Sequence, residues 1–206
     1  AEITTVQVIR IDPTLFRVRV AYDAGDPGRV SEWANALQPL ALINGGYFDD
    51  QGRATALTIY DGVSAGSSYE GFGGMLAVDL NGILVLRSLR EQPYDGDEQL
   101  AQALQSTPML VLNGAAVPQV NDDGDRARRS VVAIDESGHL LLIACGWPVF
   151  TLSDLSRWLV DQPLGIVNAL NLDGGSSTGL ALDTAARSFV VDSLVRVPQV
   201  LVVERR

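Results

Sequence analysis

The sequence contains no lysine: its 15 basic residues are all arginine, and 25 acidic residues bring the formal net charge to −10. Without lysine there is no P-loop, whose glycine-rich turn needs that side chain to reach the phosphates, and no Schiff-base chemistry. An acidic chain is also a poor partner for nucleic acid or anionic membrane, both of which bind basic surface. One cysteine, Cys145, and one histidine, His139, cannot build a zinc site of the usual Cys/His kind. A lone cysteine forms no internal disulfide, and within LLLIACGW it is expected to be a small buried hydrophobe. Neither a metal nor another cofactor is expected. No apolar run reaches the roughly 18 residues of a membrane helix, so no transmembrane segment is expected. The chain opens at Ala1 without an initiator methionine or a charged-then-apolar leader. It is expected to be a trimmed form with any signal peptide out of view. Separately, a secreted, periplasmic or cell-envelope location is expected.

What is present fits one globular domain over residues 1–206, with 47% hydrophobic and 19% charged residues. Segments 3–11 and 15–22 alternate apolar and polar residues around Asp12-Pro13-Thr14, the pattern of an antiparallel hairpin. Residues 29–37 predict a short helix, capped by Ser31 and ended by Pro39. Residues 75–79 and 83–87 flank Asn81-Gly82, the best hairpin signal in the chain. Residues 97–104 predict a helix with acidic residues in its first turn, and 151–161 a second, capped by Thr151. Further strands are expected at 40–43, 54–60, 109–112, 130–134, 139–144, 164–172, 178–183, 188–191 and 198–203. Strands at hairpin spacing outnumber helices and do not alternate with them. The fold class is therefore α+β, a large, mostly antiparallel mixed sheet with about three short helices.

Some motifs have bland readings. Gly71, Gly73 and Gly74 do not fit a dinucleotide fingerprint and are assigned to close packing. Residues 121–126 (NDDGDR) carry three carboxylates, but Gly124 is fourth where a calcium loop needs its glycine sixth, so a solvated turn is expected. His139 sits at a turn with no neighbouring nucleophile, which makes a triad with Ser177 a weak reading. Arg126 and Arg128 are expected on an exposed, salt-bridged face. Trp147, Pro148 and Phe150 form an aromatic loop, either a wall for a sugar or a cap on the core.

The informative stretch is 171–180, NLDGGSSTGL, at the end of the apolar run LGIVNALNL. Asp173 stands where the strand stops. Gly174 and Gly175 let the backbone approach a bound group, and Ser176, Ser177 and Thr178 add hydroxyls and amides. Such a turn suits an oxyanion or a sugar, although an Asp-Gly hairpin turn would read the same way. A second apolar strand, 40–43, also ends in a polar residue and two glycines: Asn44, Gly45 and Gly46.

Laid end to end, NGGYF at 44–48, PMLVLNG at 108–114, RRSVVAID at 128–135 with a glycine at 138, TLSDL at 151–155 and NALNLDGGSST at 168–178 resemble the phosphodiester glycosidase family. The five blocks come in the family's order and span most of the chain; one departure is Ser176, where the family often has glycine. The resemblance implies a hydrolase acting on a sugar C1–O–P linkage, with a glycan or sugar-phosphate substrate from an envelope or exopolysaccharide. A phosphate monoester leaves more easily than an alcohol, so the need is to stabilise negative charge more than to protonate. Arg129 would grip the phosphate, with Gly174, Gly175, Ser176 and Ser177 completing the cradle and Gly45 and Gly46 lining the twin strand end. Asp173 would be the carboxylate serving C1, and Asn44 would orient a hydroxyl or the phosphate. A second carboxylate, from Asp49, Asp50 or Glu70, is expected to assist. The alternative is a non-catalytic carbohydrate-binding or envelope-structural module.

Overall fold

The computed structural model describes residues 5–118 and 124–206; the start of the NDDGDR turn lies outside them. Among the described residues, sixteen strands form three sheets with two α-helices and one 3-10 turn. The first sheet runs in space β1 (Val6–Ile11), β12 (Leu140–Phe150), β11 (Ala127–Asp135), β13 (Ile166–Asn171), β9 (Met109–Leu112), β10 (Ala115–Ala116). The second runs β15 (Ser188–Val191), β14 (Leu180–Asp183), β3 (Ala41–Asn44), β16 (Gln199–Arg205), β2 (Phe16–Tyr22), and the third β5 (Val63–Ala65), β4 (Thr58–Tyr60), β8 (Leu100–Ser106), β6 (Gly74–Asp79), β7 (Leu84–Ser88). Every pairing between these strands is antiparallel, and the α+β class holds.

The sheets meet in a central core that includes Val20, Ile43, Leu76, Leu104, Leu142, Leu170 and Leu201. Helix α2 (Leu152–Asp161) covers the outer face of the first sheet through Leu155 and Leu159, packed with Val131, Leu141 and Ile143. This explains the unbroken LLLIAC of β12: Leu140 and Leu142 face the centre while Leu141 and Ile143 face the helix, so both faces are dry. Helix α1 (Val30–Leu37) covers the second sheet in the same way, with Val30 on Leu42, Ala181 and Val202.

The expected 75–87 hairpin, the Thr151-capped helix and the strand before Asp173 are all present; the Thr151 side chain accepts from the Asp154 N–H at 3.0 Å. Four expectations fail. Segments 6–11 and 16–22 are not a hairpin, for β1 pairs with β12 and β2 with β16. Asp12 accepts from Thr14 N and Oγ1, and its carbonyl from Leu15 and Phe16 N, so this tight turn sends the chain across to the facing sheet. Residues 100–106 are a central strand, not a helix, because Gln102 and Gln105 satisfy their buried amides through Val20, Asp61, Ser68 and Tyr69. Ser31 is not a cap; Arg29 occupies that position and the Ser31 hydroxyl donates to Asp192. The aromatic loop is the far end of β12, paired to β11 beyond a bulge between Ala127 and Arg129.

Candidate active site

Two strand ends from different sheets meet here. β3 ends at Asn44 and β13 at Asn171, and the chains leaving them are stitched together: Asp173 N–H donates to Gly45 O (3.2 Å) and Asn44 Nδ2 donates to Asp173 O (2.7 Å). Asn44 Oδ1 accepts from the Ser130 hydroxyl (2.6 Å) on β11 and from Gly179 N–H (3.0 Å), while its Nδ2 also reaches Gly45 O (3.3 Å). Its two donors and two acceptor positions are thereby used within the protein. Asn44 is fully buried, so it acts by fixing Asp173.

The glycine pairs do different things. A Cβ at Gly45 would lie 2.6 Å from Gln199 Cγ, and one at Gly46 would lie 2.8 Å from the Gln105 carbonyl oxygen. Both are buried, and they let β3's continuation run hard against neighbouring strands. At Gly174 a Cβ would meet the Arg128 carbonyl oxygen at 3.0 Å and approach Arg129 Cδ at 3.9 Å, so the residue after Asp173 packs against the start of β11. Gly175 takes φ +57° and faces open space.

Asp173 is half-buried, and burial raises its pKa above the ordinary value against the opposing pull of the Ser177 hydroxyl and the Gly174 N–H. Those two cradle groups therefore serve the Asp173 carboxylate. Among the described residues, the amides of Gly175 and Ser176 have no backbone acceptor and the exposed Ser176 hydroxyl has no partner. Arg129, also half-buried, donates from Nε to Phe150 O (3.2 Å) and from a terminal nitrogen to Asp125 O (2.9 Å). Among the described residues it pairs with no carboxylate, so its positive charge is unmatched. Its neighbours differ: Arg126 pairs with Asp154 at 3.1 Å, and Arg128 donates to the carbonyls of Thr178 and Asp192 rather than joining an exposed ion pair.

Two residues without an assigned role in the sequence belong to this site. Tyr47 donates to Thr107 O (3.0 Å) and accepts from Asn171 Nδ2 (2.9 Å). Its pKa is pushed up to about 12, first by burial and then by the negative charge of Asp173, with Arg129 opposing; Tyr47 thus lies within reach of both charges and keeps its proton. Asn171 Nδ2 also donates to Thr107 O (3.0 Å) and Leu172 O (2.8 Å), while its buried Oδ1 and the buried Thr178 Oγ1 have no partner among the described residues. The signal for both was present in the NGGYF and NLDGG blocks, but only the fold shows that they touch.

Other candidates lie apart. Asp49 accepts from Arg53 and its own turn, beside an outer cleft lined by Asp50, Pro27 and Arg196, and Glu70 is exposed. His139 sits with Asp135 (3.3 Å), six residues along β11 from Arg129, or ~20 Å at strand rise, which removes it from Ser177. A cleft of about 420 Å³ between Arg17, Asn81 and Arg206 contains none of these groups. Phe150 packs on Trp158 of helix α2, whereas Trp147, also in β12, is 64% exposed. Among the described residues, no three of His, Cys, Asp and Glu converge to hold a metal ion.

A family model for phosphodiester glycosidases matches residues 38–204, a stretch that includes every residue of this site. The chain belongs to the phosphodiester glycosidase family. Similarity to solved structures agrees at the level of fold. The catalytic domain of zebrafish N-acetylglucosamine-1-phosphodiester alpha-N-acetylglucosaminidase, solved auto-inhibited by its pro-peptide, superposes with a TM-score of 0.74 at 20% identity, over 100% of this chain and 85% of that one. A hypothetical protein from Synechocystis gives 0.66 at 17% identity over 98% and 59%, and an inferred exported protein from Burkholderia pseudomallei gives 0.54 at 16% over 97% and 73%. No functionally curated protein matches the sequence.

Proposed function

We propose that this phosphodiester glycosidase family member hydrolyses a sugar-1-phosphodiester by breaking the bond between C1 and the bridging oxygen, on glycans of an envelope or exopolysaccharide outside the cytoplasm. One observation supports the reading: the charges of a half-buried aspartate, Asp173, and of Arg129, which has no carboxylate partner among the described residues, both reach Tyr47, and Gly174, next to that aspartate, packs near the arginine's stem. The bonding pair leaves with the phosphomonoester, whose charge falls on Arg129 and on the amides of Gly175 and Ser176. The positive charge at C1 faces Asp173, and water supplies the oxygen that replaces the leaving group. Asn44, Ser177 and the Gly174 amide hold Asp173, Tyr47 and Asn171 brace the opposite wall, and Gly45 and Gly46 allow the two strand ends to meet. Trp147 offers a ring face to a sugar. The name of the zebrafish relative, an N-acetylglucosamine-1-phosphodiester glycosidase, makes N-acetylglucosamine-1-phosphate esters the first probes.

The test is incubation with N-acetylglucosamine-1-phosphate methyl ester, followed by phosphorus NMR. Methyl phosphate and free sugar are expected, with none from Asp173→Asn. Binding of the probe without turnover by the wild-type protein would favour a carbohydrate-binding module instead.

A further inference from the structure

Beside the site, the loop at 66–73 presents two aromatic rings that the chemistry above does not use. Tyr69 and Phe72 stack with centroids 4.6 Å apart and planes at 26°. The loop is pinned: Tyr69 N–H donates to Gln105 Oε1 (2.8 Å), Gln105 Nε2 donates to Ser68 Oγ (2.9 Å), and a Cβ on Gly73, at φ +74°, would lie 2.5 Å from Ser106 O. Although Phe72 is held in place, 47% of it is exposed.

Phe72 borders a groove of about 380 Å³, within the ~300–1,000 Å³ of small-molecule sites. Its lining is largely apolar, with Pro108, Met109, Leu112 and Val117 as well as Phe72, and Arg90 also lines it. Among the described residues Arg90 pairs with no carboxylate; its guanidinium donates only to Gly71 O at 3.4 Å. Thr107 joins groove and site, because it lines the groove while its carbonyl accepts from Tyr47 and Asn171. Tyr69 in turn acts on the ionisation of Tyr47. The groove therefore adjoins the site at the Tyr47–Asn171 pair.

We propose that this groove receives the leaving group, and that the leaving group carries a hydrocarbon chain, so that the substrate is an amphiphilic sugar-1-phosphodiester. The proposal rests on the hydrolytic reading above. A second sugar would need several donors and acceptors for its hydroxyls, and apolar walls that offer few of them would leave those hydroxyls unpaired. An alkyl chain gains from the same walls by leaving water, Met109 adapting to its shape.

The test uses methyl, butyl and octyl esters of N-acetylglucosamine-1-phosphate. The expected kcat/KM rises roughly two- to fourfold per methylene from methyl to butyl. In Phe72→Ser, and independently in Leu112→Asn should the first not fold, the octyl-to-methyl ratio falls toward one. A flat series with the methyl ester turned over, or a hexosyl ester preferred to octyl, overturns the groove while leaving the hydrolase intact. If no ester is hydrolysed, the hydrolytic reading fails separately, and calorimetry with octyl phosphate against inorganic phosphate still decides: tighter octyl phosphate binding that Phe72→Ser removes supports the groove, and equal binding overturns it.

Discussion

At Asp173 burial and function pull against each other. Burial favours the neutral acid, so the folded protein binds that proton more tightly than the unfolded chain does. The cost of keeping the group ionised is absent below its ordinary value of 3.8 and grows as pH rises through the raised one. Asp173→Asn should therefore abolish turnover and raise the melting temperature at pH 7, with the gain vanishing in a melting series below pH 3.8; an unchanged or lower melting temperature at pH 7 would mean that the carboxylate is stabilising as it stands. Wild-type turnover should likewise fade as pH drops through that raised value. Arg129 poses a different question. Its Nε and one terminal nitrogen are tied to Phe150 and Asp125 carbonyls, so the guanidinium plane is already oriented before any ligand arrives. Lysine supplies charge without that fork. Arg129→Lys should lose nearly as much kcat/KM as Arg129→Ala, a loss on the order of 10²-fold or more if the arginine stabilises the departing phosphate. A lysine variant retaining most activity would leave the arginine acting by charge alone.

Among the elements, the strand ends of β3 and β13 decide whether a site exists at all. Gly46→Ala would drive a methyl to 2.8 Å from the Gln105 carbonyl, a backbone atom of a central strand that cannot swing aside. It should cost about 2 kcal/mol or more in denaturant unfolding and reduce activity with it, whereas a near-neutral result would show that the two sheets separate easily here. Local signals explain which elements the sequence disclosed. Asn81-Gly82 and the Thr151 cap act within a few residues, so the hairpin of β6 and β7 and helix α2 were legible. β1, β2 and β8 were misread because partners far along the chain set their state: Val6 pairs with Cys145, Phe16 with Arg205 and Leu76 with Leu104. Sequence could mark Asp173, Arg129 and Asn44 as polar ends of apolar runs. It could not show that Asn44 spends all its hydrogen bonds inside the protein, or that Tyr47 and Asn171 meet across 124 residues.

For the whole molecule, three sheets around one core place the ends of two strands and the bulged start of β11 at a single point, and helices α1 and α2 shield the faces behind it. That arrangement accounts for why sequence blocks scattered along the chain, NGGYF, RRSVVAID and NALNLDGGSST, come close in space, while TLSDL caps and packs helix α2. It also makes a claim about which bond breaks. If charge develops at C1 opposite Asp173 while Arg129 receives the phosphate, water must add to carbon and not to phosphorus. The direct measurement is hydrolysis of N-acetylglucosamine-1-phosphate methyl ester in oxygen-18 water, with both products read by mass spectrometry. The heavy oxygen should appear at C1 of the released sugar, and the methyl phosphate should carry none. Label in the methyl phosphate, with unlabelled sugar, would place the attack at phosphorus and contradict the assignment of Asp173 and Arg129.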